Sequence, residues 1–334
     1  MTNIFPTQYS TLSAAALNDH IQEKYGFQHT SCRILLRNVS DTYVVTNAND
    51  KWIFKIYRDA HRKHDQICGE VELLELLHEG GASVSYPVRD KEGKALQAFQ
   101  AAEGMRYGVL FSWAKGEVIH HLNDRHLQTL GHEMATLHNI SARINLKFPR
   151  QPFNVNTTIH EPLEVLKPAF IGLEEEYNYL HDTGMKISAA LEKIAASQTN
   201  TGYCQYDFLP KNFHFDTDGT LTFFDFDFAG KGWIANDLMS FLVLYFFEVT
   251  HKKVTIAEAK DLFAKFLVAY KEVRPIQDEE IAALPMLGFG FWMFYLQFAY
   301  ENFDDWSNGF FNSRYLAART GLIKSWLEIA PQLI

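Results

Sequence analysis

The sequence predicts an α+β protein with two lobes, an antiparallel-sheet N-terminal lobe with one main helix and a mostly helical C-terminal lobe. Residues 33–57 contain three short β-rich runs separated by polar turns, which is typical of an antiparallel meander. From Asn123 onward, the spacing of apolar residues is helical. A chain of 334 residues is long enough for two lobes that each bury a core. We therefore expect lobes at residues 1–112 and 113–334.

In the N-terminal lobe, we expect a helix around residues 12–25, ahead of the meander. The helix after the meander has an apolar stripe, because leucines follow Glu70 at offsets of three, four and seven residues. Three further strands are predicted, at residues 86–88, 95–99 and 105–112.

In the C-terminal lobe, a helix with an apolar stripe follows Asn123 or Asp124, either of which would cap it. Later helices are predicted at residues 184–197, 235–250, 256–272, 278–303 and 313–328. The most apolar stretch, residues 281–300, contains a proline and two glycines and has acidic residues on both sides. A buried helix is therefore favoured over a membrane span.

A D-x-x-x-x-N loop gives the strongest functional signal, because Asp207 is followed five residues later by Asn212. Taken alone, this loop could be an ordinary turn, since Asp and Asn are common turn residues. Its surroundings favour chemistry: residues 213–223 read as a hairpin, and Asp225 and Asp227 follow directly. Such a hairpin would bring Asp207, Asn212 and Asp225 to one end of the structure.

The alternation of Phe and Asp over residues 224–228 predicts a strand with its phenylalanines on one face and both carboxylates on the other. Two like charges on one face call for a cation. Carboxylate and amide oxygens suit Mg²⁺ rather than zinc or copper. An Asp, an Asn and a later Asp in this order are the groups with which kinases orient a hydroxyl and bind metal, so the sequence indicates phosphoryl transfer.

A second charged pair is expected upstream. Lys55 lies inside the third β-rich run, where it either faces solvent as an ordinary strand lysine or has a partner. Glu70 lies along the apolar stripe of its helix, where a carboxylate needs a cation, and Lys55 is the nearest one that the meander would present. Such a Lys–Glu pair positions nucleotide phosphates in kinases.

Together these motifs resemble those of the aminoglycoside phosphotransferase and choline kinase superfamily, which has a protein-kinase-like fold. Within it, the branch of type II homoserine kinases and bacterial stress-response kinases is the most similar. The resemblance covers nearly the whole chain, and its motifs occur in the family order: Lys55, residues 69–74, Gly116-Glu117, residues 134–138, residues 205–212, residues 224–227 and Asp237-Leu238.

Two departures from the family pattern affect the loop. Gln205 and Tyr206 stand where the family has His-Gly, and Lys211 stands where it has the glycine before Asn212. Glutamine can replace the hydrogen bonds of a histidine. Tyrosine and lysine cannot easily replace glycine, because glycine adopts backbone conformations that other residues avoid.

The resemblance implies an ATP- or GTP-dependent phosphotransferase that moves the γ-phosphoryl group to a hydroxyl of a small molecule. It implies that Lys55, oriented by Glu70, holds the α- and β-phosphates, and that Asp207 takes the acceptor's proton. It assigns Mg²⁺ binding to three residues, the last of them as an occasional or indirect ligand: Asn212, Asp225 and Asp227.

Further roles follow from the same resemblance. Ser40 and Asp41 would occupy the turn that covers the ATP phosphates, and the backbone near Phe111 and Trp113 would hold the adenine. Asp237 would either cap its helix or brace the 205–212 loop. His138 is interpreted as a packed, hydrogen-bonded residue near that loop.

The acceptor site is expected in the C-terminal lobe. In choline and aminoglycoside kinases, acids and aromatics of this lobe hold a cationic acceptor, which cation–π contacts favour. The corresponding residues here are Glu301, Asp304, Asp305 and Trp306. The alternative is an aromatic core helix that ends in a solvated acidic loop. If the acids line the pocket, the acceptor would be amine-bearing and like homoserine, choline or an aminoglycoside.

The amino-acid composition limits the expected binding partners, metal sites and cellular compartment. The formal net charge of −9 disfavours nucleic acid and anionic membranes. The three cysteines lack metal-ligand spacing, and no secretory signal is evident, so we expect reduced thiols and a cytoplasmic enzyme. Five histidines lie between residues 120 and 138, but His132 and His138 are six residues apart on a helix and do not share a face, so a metal site is not expected. A pseudokinase and a Ser/Thr protein kinase stay open as alternatives, as does the oligomeric state.

Overall fold

The computed structural model describes the backbone of residues 6–195, 200–306 and 311–334, and the side chains of these residues apart from 303–306. The chain has an antiparallel sheet in its N-terminal part and is mostly helical afterwards, so the predicted α+β class is confirmed. Two compact units are present, and each has its own core.

The first unit contains the described residues up to Glu79, together with Val84–Ala114 and Leu146–Pro149. The second unit contains Gly80–Ser83, Lys115–Asn145 and the described residues from Arg150 onward. The nucleotide-binding role expected for the N-terminal lobe and the catalytic role expected for the C-terminal lobe stay predictions.

The first unit is built on a five-stranded antiparallel sheet with strand order β1-β2-β3-β5-β4. The strands are β1 (Ser31–Arg37), β2 (Ser40–Thr46), β3 (Lys51–Tyr57), β4 (Leu96–Ala101) and β5 (Gly104–Ser112). The predicted meander is confirmed, and Thr42 of β2 lies opposite Lys55 of β3. Two helices complete the unit: α1 (Ala14–Tyr25) and α2 (His64–Glu79).

Helix α1 packs on one face of this sheet. It begins after Ser13, whose side chain accepts a hydrogen bond from the Ala16 amide, and it ends at Gly26 in the left-handed conformation. Its buried residues meet apolar side chains of three strands, among them Phe54 and Ile56. Because side chains alternate along a strand, Lys55 lies on the opposite face of the sheet.

The second unit is mainly helical. Its helices are α3 (Asp124–Ser141), α4 (Glu161–Leu166), α5 (Glu174–Ala195), α6 (Ala235–Thr250), α7 (Ile256–Val273), α8 (Asp278–Ala282), α9 (Leu284–Trp306) and α10 (Ser313–Ile329). Its strands are β6 (Pro152–Phe153), β7 (Thr201–Cys204), β8 (Phe213–Phe215), β9 (Leu221–Phe223) and β10 (Gly230–Trp233). Strands β8 and β9 form the predicted hairpin, and β10 pairs with β6 and β7.

Two helix predictions are wrong in extent. The helix expected at residues 184–197 begins at Glu174, and Gly184 lies inside it. A Cβ at Gly184 would come within 2.9 Å of Leu163 Cδ1, so the small residue permits close packing rather than ending the helix. The helix expected at residues 278–303 is two helices, because Pro285 starts a new first turn that cannot continue the hydrogen bonds of α8.

Two strand predictions are also wrong. Residues 86–88 make only one bridge, from Pro87 to Phe111, because β4 pairs with this edge of β5 from Val109 back to Gly104 and leaves only the last residues of β5 for the segment. Residues 224–228 are not a strand: β9 ends at Phe223, and Asp225 has a left-handed backbone with φ of 60°. The alternation of Phe and Asp therefore does not sort these side chains onto two faces.

Helix α9 is an internal helix of the second unit. Its residues Leu284, Phe289 and Met293 have no solvent exposure. In the part of the chain that the structure describes, no helix combines the length and apolar character needed to cross a membrane.

Candidate active site

The loop over residues 205–212 follows β7 directly and ends in a 3₁₀ turn, Pro210–Asn212, that leads into β8. Asp207 and Asn212 are both buried, at 6% and 3% exposure. The Asn212 Nδ2 group donates to the Asp207 carbonyl oxygen and to Asp207 Oδ2, each at 2.8 Å. The structure therefore brings together the two residues that the motif paired.

Asp237 fixes the start of this loop. It lies in the first turn of α6 and is fully buried. Its Oδ2 accepts from the Gln205 amide at 2.9 Å, and its Oδ1 accepts from the Tyr206 amide at 2.7 Å. Of the two roles considered for Asp237, these contacts show that it braces the loop.

His138 is hydrogen-bonded to Asp237. The His138 Nε2 atom lies 3.0 Å from Asp237 Oδ2, and Nδ1 lies 2.8 Å from the Tyr270 hydroxyl. Complete burial lowers the pKa of His138, although Asp237 opposes the shift, so the ring is neutral at neutral pH. A neutral ring that donates from Nε2 to the carboxylate accepts from Tyr270 at Nδ1. The expectation of a packed, hydrogen-bonded histidine is confirmed.

Helices α3 and α7 come close enough for that contact because of Gly131. A Cβ at this position would lie 2.7 Å from the Phe266 carbonyl oxygen. Any larger residue would push α7, and with it Tyr270, away from His138.

Tyr206 adopts the backbone conformation that a glycine would otherwise supply. Its φ is 68°, in the left-handed region that costs a non-glycine residue about 1–2 kcal/mol. The ring is completely buried and stacks on Phe153, with centroids 3.6 Å apart, and its edge meets Phe294 at 5.4 Å. These contacts and the Asp237 hydrogen bond hold the strained residue in place.

Gln205 links the loop to the segment after β9. Its Nε2 group donates to the Phe224 carbonyl at 2.9 Å and to the Asp225 carbonyl at 3.2 Å. Its Oε1 accepts from the Asp207 amide at 3.2 Å. The glutamine thus ties Asp207 to the chain that carries the later aspartates.

Lys211 lies within the 3₁₀ turn and is paired with Asp207. Its Nζ lies 2.7 Å from Asp207 Oδ2, while 62% of its own side chain is exposed. Burial raises the pKa of Asp207, and Lys211 and Asn212 oppose the shift while the charge of Asp225 adds to it. The sequence flagged Lys211 as a departure but did not indicate this contact.

The two later aspartates have different surroundings. Asp225 is exposed, whereas Asp227 is 1% exposed. Buried Arg150 fixes the segment 226–229, which leads into β10. Its guanidinium donates to the backbone carbonyls of Phe226, Asp227 and Ala229. Sequence reasoning missed Arg150, since a single arginine in a connecting segment carries no recognisable pattern.

The oxygen atoms available as ligands here suit a hard cation such as Mg²⁺. Both hydrogen bonds of the Asn212 amide nitrogen go to Asp207, which leaves the amide oxygen for a ligand. Asp225 and Asp227 would add carboxylate oxygens. Among the described residues, no three His, Cys, Asp or Glu side chains could hold a metal by themselves. A cation would therefore need water and nucleotide oxygens as well, as Mg²⁺ usually does.

In the first unit, Lys55 and Glu70 form the predicted ion pair. Lys55 Nζ lies 3.5 Å from Glu70 Oε1, and their side chains are only 9% and 2% exposed. Lys55 also lies 5.0 Å from the centre of the Tyr57 ring. A buried pair of this kind needs a role or further partners to offset its desolvation.

The expectation that Ser40 and Asp41 occupy a turn is wrong. Both belong to β2, where they pair with Tyr57 and Ile56. Strand pairing extends β2 by two residues into what reads as a turn. The Asp41 carboxylate is completely buried, lies 3.2 Å from Arg106 Nη2, and accepts a hydrogen bond from the Tyr9 hydroxyl.

Phe111 and Trp113 lie at the end of the first unit's sheet. Phe111 belongs to β5 and is buried, and Trp113 follows the last residue of that strand. Lys51 Nζ lies 5.4 Å from the centre of the Trp113 ring. The adenine-binding role of this segment stays a prediction.

Of the predicted acceptor residues, Glu301 is described. It is exposed on α9, and its Oε1 accepts from Gln297 Nε2 at 2.8 Å. The side chains of Asp304, Asp305 and Trp306 lie outside the described residues.

Tyr295, earlier on α9, is a site residue that sequence reasoning missed. Its hydroxyl is buried and has no partner among the described residues. Its ring lies 4.7 Å from Phe291 and 5.1 Å from Phe228, which follows Asp227 directly. Burial raises the pKa of Tyr295, and nearby acidic charges, that of Asp207 first among them, add to the shift. Nothing in the sequence distinguished it from the other aromatic residues of α9.

A buried Asp–Asn pair, a later pair of aspartates and an ion-paired strand lysine are the kinds of groups that kinases use. Residues 32–276 match the model of APH, the phosphotransferase enzyme family, and the chain belongs to this family. The protein is therefore an ATP-binding phosphotransferase, and its relatives act on small molecules.

Relatives with similar sequences span most of this chain. An uncharacterized protein of Synechocystis is 29% identical over 85% of this chain and 78% of its own. The amicoumacin kinase of Bacillus subtilis is 24% identical over 78% of this chain and 77% of its own. The homoserine kinase of Paramagnetospirillum magneticum is 25% identical over 84% of each chain.

Solved structures share the fold. The amicoumacin kinase hAmiN, in complex with AMP-PNP, Ca²⁺ and Ami, has a TM-score of 0.72 at 20% identity and covers 96% of this chain and 93% of its own. A microcompartment-associated aminopropanol kinase has a TM-score of 0.67 at 18% identity and covers 96% of this chain and 100% of its own.

Proposed function

We propose that the protein uses Mg²⁺ and ATP to phosphorylate a hydroxyl group of a small, amine-bearing molecule. The observation that carries the proposal is the buried Asp207–Asn212 pair, with Nδ2 of Asn212 at 2.8 Å from Asp207 Oδ2. Asp237 and Gln205 hold the loop so that this pair keeps its geometry. Phosphoryl transfer depends mostly on such positioning.

In this proposal, Asp207 accepts the hydrogen bond of the acceptor hydroxyl and takes its proton. Burial raises the pKa of Asp207, which makes it a better base than an ordinary aspartate. Its Oδ2 already receives Asn212 and Lys211, whereas neither of these bonds goes to Oδ1. The acceptor hydroxyl would therefore bind Oδ1.

The remaining groups would bind the nucleotide. Lys55, oriented by Glu70 at 3.5 Å, would hold the α- and β-phosphates. Backbone near Phe111 and Trp113 would bind the adenine. When bound at Asn212 and Asp225, with Asp227 in support, Mg²⁺ would neutralise charge on the phosphates.

The acceptor class rests on two supports. The relatives named above include kinases for homoserine and aminopropanol, both of which carry an amine and a hydroxyl. On α9, the partly exposed Tyr295 ring offers its face to a cation, and the Tyr295 hydroxyl has no partner among the described residues. The acids near that hydroxyl favour a positively charged acceptor.

A metabolite screen tests the proposal. The full chain is incubated with Mg²⁺ and ATP together with homoserine, choline, ethanolamine, 1-amino-2-propanol and amino sugars, and mass spectrometry looks for a gain of one phosphate. We expect transfer to at least one amine-bearing alcohol, and no transfer by an Asp207→Asn control.

Two results would overturn the proposal. A thermal shift with Mg²⁺ and ATP but no phosphate transfer to any acceptor or to water would indicate an inactive nucleotide-binding protein. Transfer of labelled phosphate to proteins in a lysate, without transfer to small molecules, would indicate a protein kinase.

A further inference from the structure

Lys211 contacts the proposed base in a way that the proposed function leaves unused. The 3₁₀ turn at Pro210–Asn212 directs Lys211 back toward Asp207, and its Nζ lies 2.7 Å from Oδ2. Asn212 Nδ2 donates to the same oxygen at 2.8 Å. A cation is therefore in direct contact with the carboxylate that would receive the acceptor's proton.

The two partners differ in freedom of movement. The Asp207 side chain is 9% exposed, whereas that of Lys211 is 62% exposed and stands on a flexible aliphatic stem. The ammonium can therefore leave Oδ2 for water without moving the carboxylate, which keeps its hydrogen bond from Asn212.

Position gives the ammonium group a chemical role. The acceptor oxygen must lie within hydrogen-bond distance of Asp207 to lose its proton. Nζ is one hydrogen bond from Oδ2 and the acceptor oxygen would be one hydrogen bond from Oδ1, so the two atoms lie within about 8 Å of each other. The phosphorus atom under attack is next to the acceptor oxygen, and rotation of the lysine stem brings Nζ to the phosphoryl oxygens.

We propose that Lys211 is a further catalytic residue, whose ammonium leaves Asp207 and binds the phosphoryl group during transfer. In this step the acceptor oxygen bonds to phosphorus while the bond from phosphorus to the β-phosphate oxygen breaks, and ADP leaves with the electron pair. The acceptor's proton goes to Asp207, and Lys211 keeps all of its protons. It stabilises charge that spreads over the transferring oxygens. This inference rests on the proposed function.

Three variants test the role. Lys211→Met keeps the length of the side chain without the charge, and Lys211→Arg keeps the charge. Lys253→Met is the matched control, because Lys253 is 54% exposed and lies 2.9 Å from Glu248, whose side chain is only 12% exposed. Both lysines thus pair with largely buried carboxylates, but only Lys211 lies in the 205–212 loop.

The first measurement is turnover, followed as phosphate transfer to an accepted metabolite and as ATP hydrolysis without acceptor. We expect Lys211→Met to lower kcat about tenfold to a hundredfold with KM for ATP changed less than twofold, because one lost donor to developing charge acts on the transition state. Lys211→Arg should recover most of the rate, and Lys253→Met should match the wild type.

The second measurement does not depend on turnover. Calorimetry compares the affinity for Mg²⁺ and ADP alone with the affinity for Mg²⁺, ADP and aluminium fluoride, a mimic of the phosphoryl group in transfer. Lys211→Met should weaken the fluoride complex at least tenfold and leave the ADP complex unchanged. Equal thermal midpoints of all variants would exclude a folding effect.

Wild-type turnover by Lys211→Met, or a loss that appears only in KM for ATP, would overturn the role of Lys211 and leave the proposed function intact. Equal fluoride affinity in wild type and Lys211→Met would do the same. A wild-type protein that transfers phosphate neither to metabolites nor to water would overturn the proposed function and this inference together.

Discussion

The first sheet and the 205–212 loop each hold a buried aspartate, but the two have different partners. Asp41 lies 3.2 Å from Arg106, whose side chain is 1% exposed, and binds the Tyr9 hydroxyl, while exposed Arg37 lies farther away at 4.0 Å. Asp207 meets Lys211, whose side chain is 62% exposed. Both carboxylates are compensated for leaving water, one by a fixed partner and the other by a movable one.

This difference separates a structural carboxylate from a chemical one. A buried pair with an immobile partner has no free position for a ligand, and breaking it leaves an uncompensated charge. A pair with an exposed partner can open toward a substrate. The resemblance placed Asp41 in the turn over the ATP phosphates and made Asp207 the base for the acceptor's proton, and the exposure of the partner now supports a chemical role for Asp207 alone.

The largest expected effect is on turnover, when Asp207 is replaced. Asp207→Asn keeps the shape of the side chain but removes the base, so kcat should fall about a thousandfold or more. Binding of Mg²⁺ and ATP, followed by thermal shift, should change little. Wild-type turnover by Asp207→Asn would refute the assignment of Asp207 as the base.

The next largest effect is on stability, when Asp41 is replaced. Asp41→Ala removes one of the two carboxylates that pair with buried Arg106 and leaves Glu103 at 3.1 Å, which should lower the free energy of unfolding by about 1.5–3 kcal/mol, the range for a hydrogen bond to a charged group. Urea unfolding measures this loss. The control is Asp59→Ala, since Asp59 lies 2.6 Å from Lys63 in a pair whose side chains are 60% and 66% exposed. That change should cost about 1 kcal/mol or less.

If Asp41→Ala instead kept its stability and lost ATP binding, Asp41 would belong to the nucleotide site after all. The contrast between the two buried carboxylates would then fail.

The smallest effect concerns Asp237, a third buried carboxylate, whose partner His138 is neutral. Burial lowers the pKa of folded His138 below 6.5, so the unfolded chain binds the additional proton as the pH falls below that value. Stability should therefore decrease on acidification below pH 6.5, by at most about 1.4 kcal/mol per pH unit for this one group.

Thermal midpoints between pH 7.5 and pH 5.5 test this, with His138→Gln as the comparison because glutamine does not titrate. The variant should lose less stability on acidification than the wild type. Parallel curves would show that His138 does not carry the effect.

Local patterns predicted much of the fold because local physics decides it. The Asp218-Gly219 turn between apolar runs specified the β8–β9 hairpin, and Asn123 caps α3 as expected. The errors fall where distant residues decide. Gly184 fits a close contact with Leu163 that no local pattern reveals.

The same distinction applies to the site. Spacing was enough to pair Asp207 with Asn212 and Lys55 with Glu70. Spacing wrongly predicted a strand at Asp225. The Asp225 carbonyl instead accepts a hydrogen bond from Gln205, and the Phe226 carbonyl accepts one from Arg150. Spacing could not single out Tyr295, since an unpartnered hydroxyl is a property of the folded surroundings.

Tyr206 shows that what this loop requires is a torsion angle rather than a particular amino acid. A φ of 68° is reached here by a bulky aromatic that is locked against Phe153. Motif searches written in residue letters will pass over such loops, whereas searches written in backbone angles will find them. Replacing Tyr206 with glycine would restore the residue that is usual in the family but would leave a cavity in place of the buried ring.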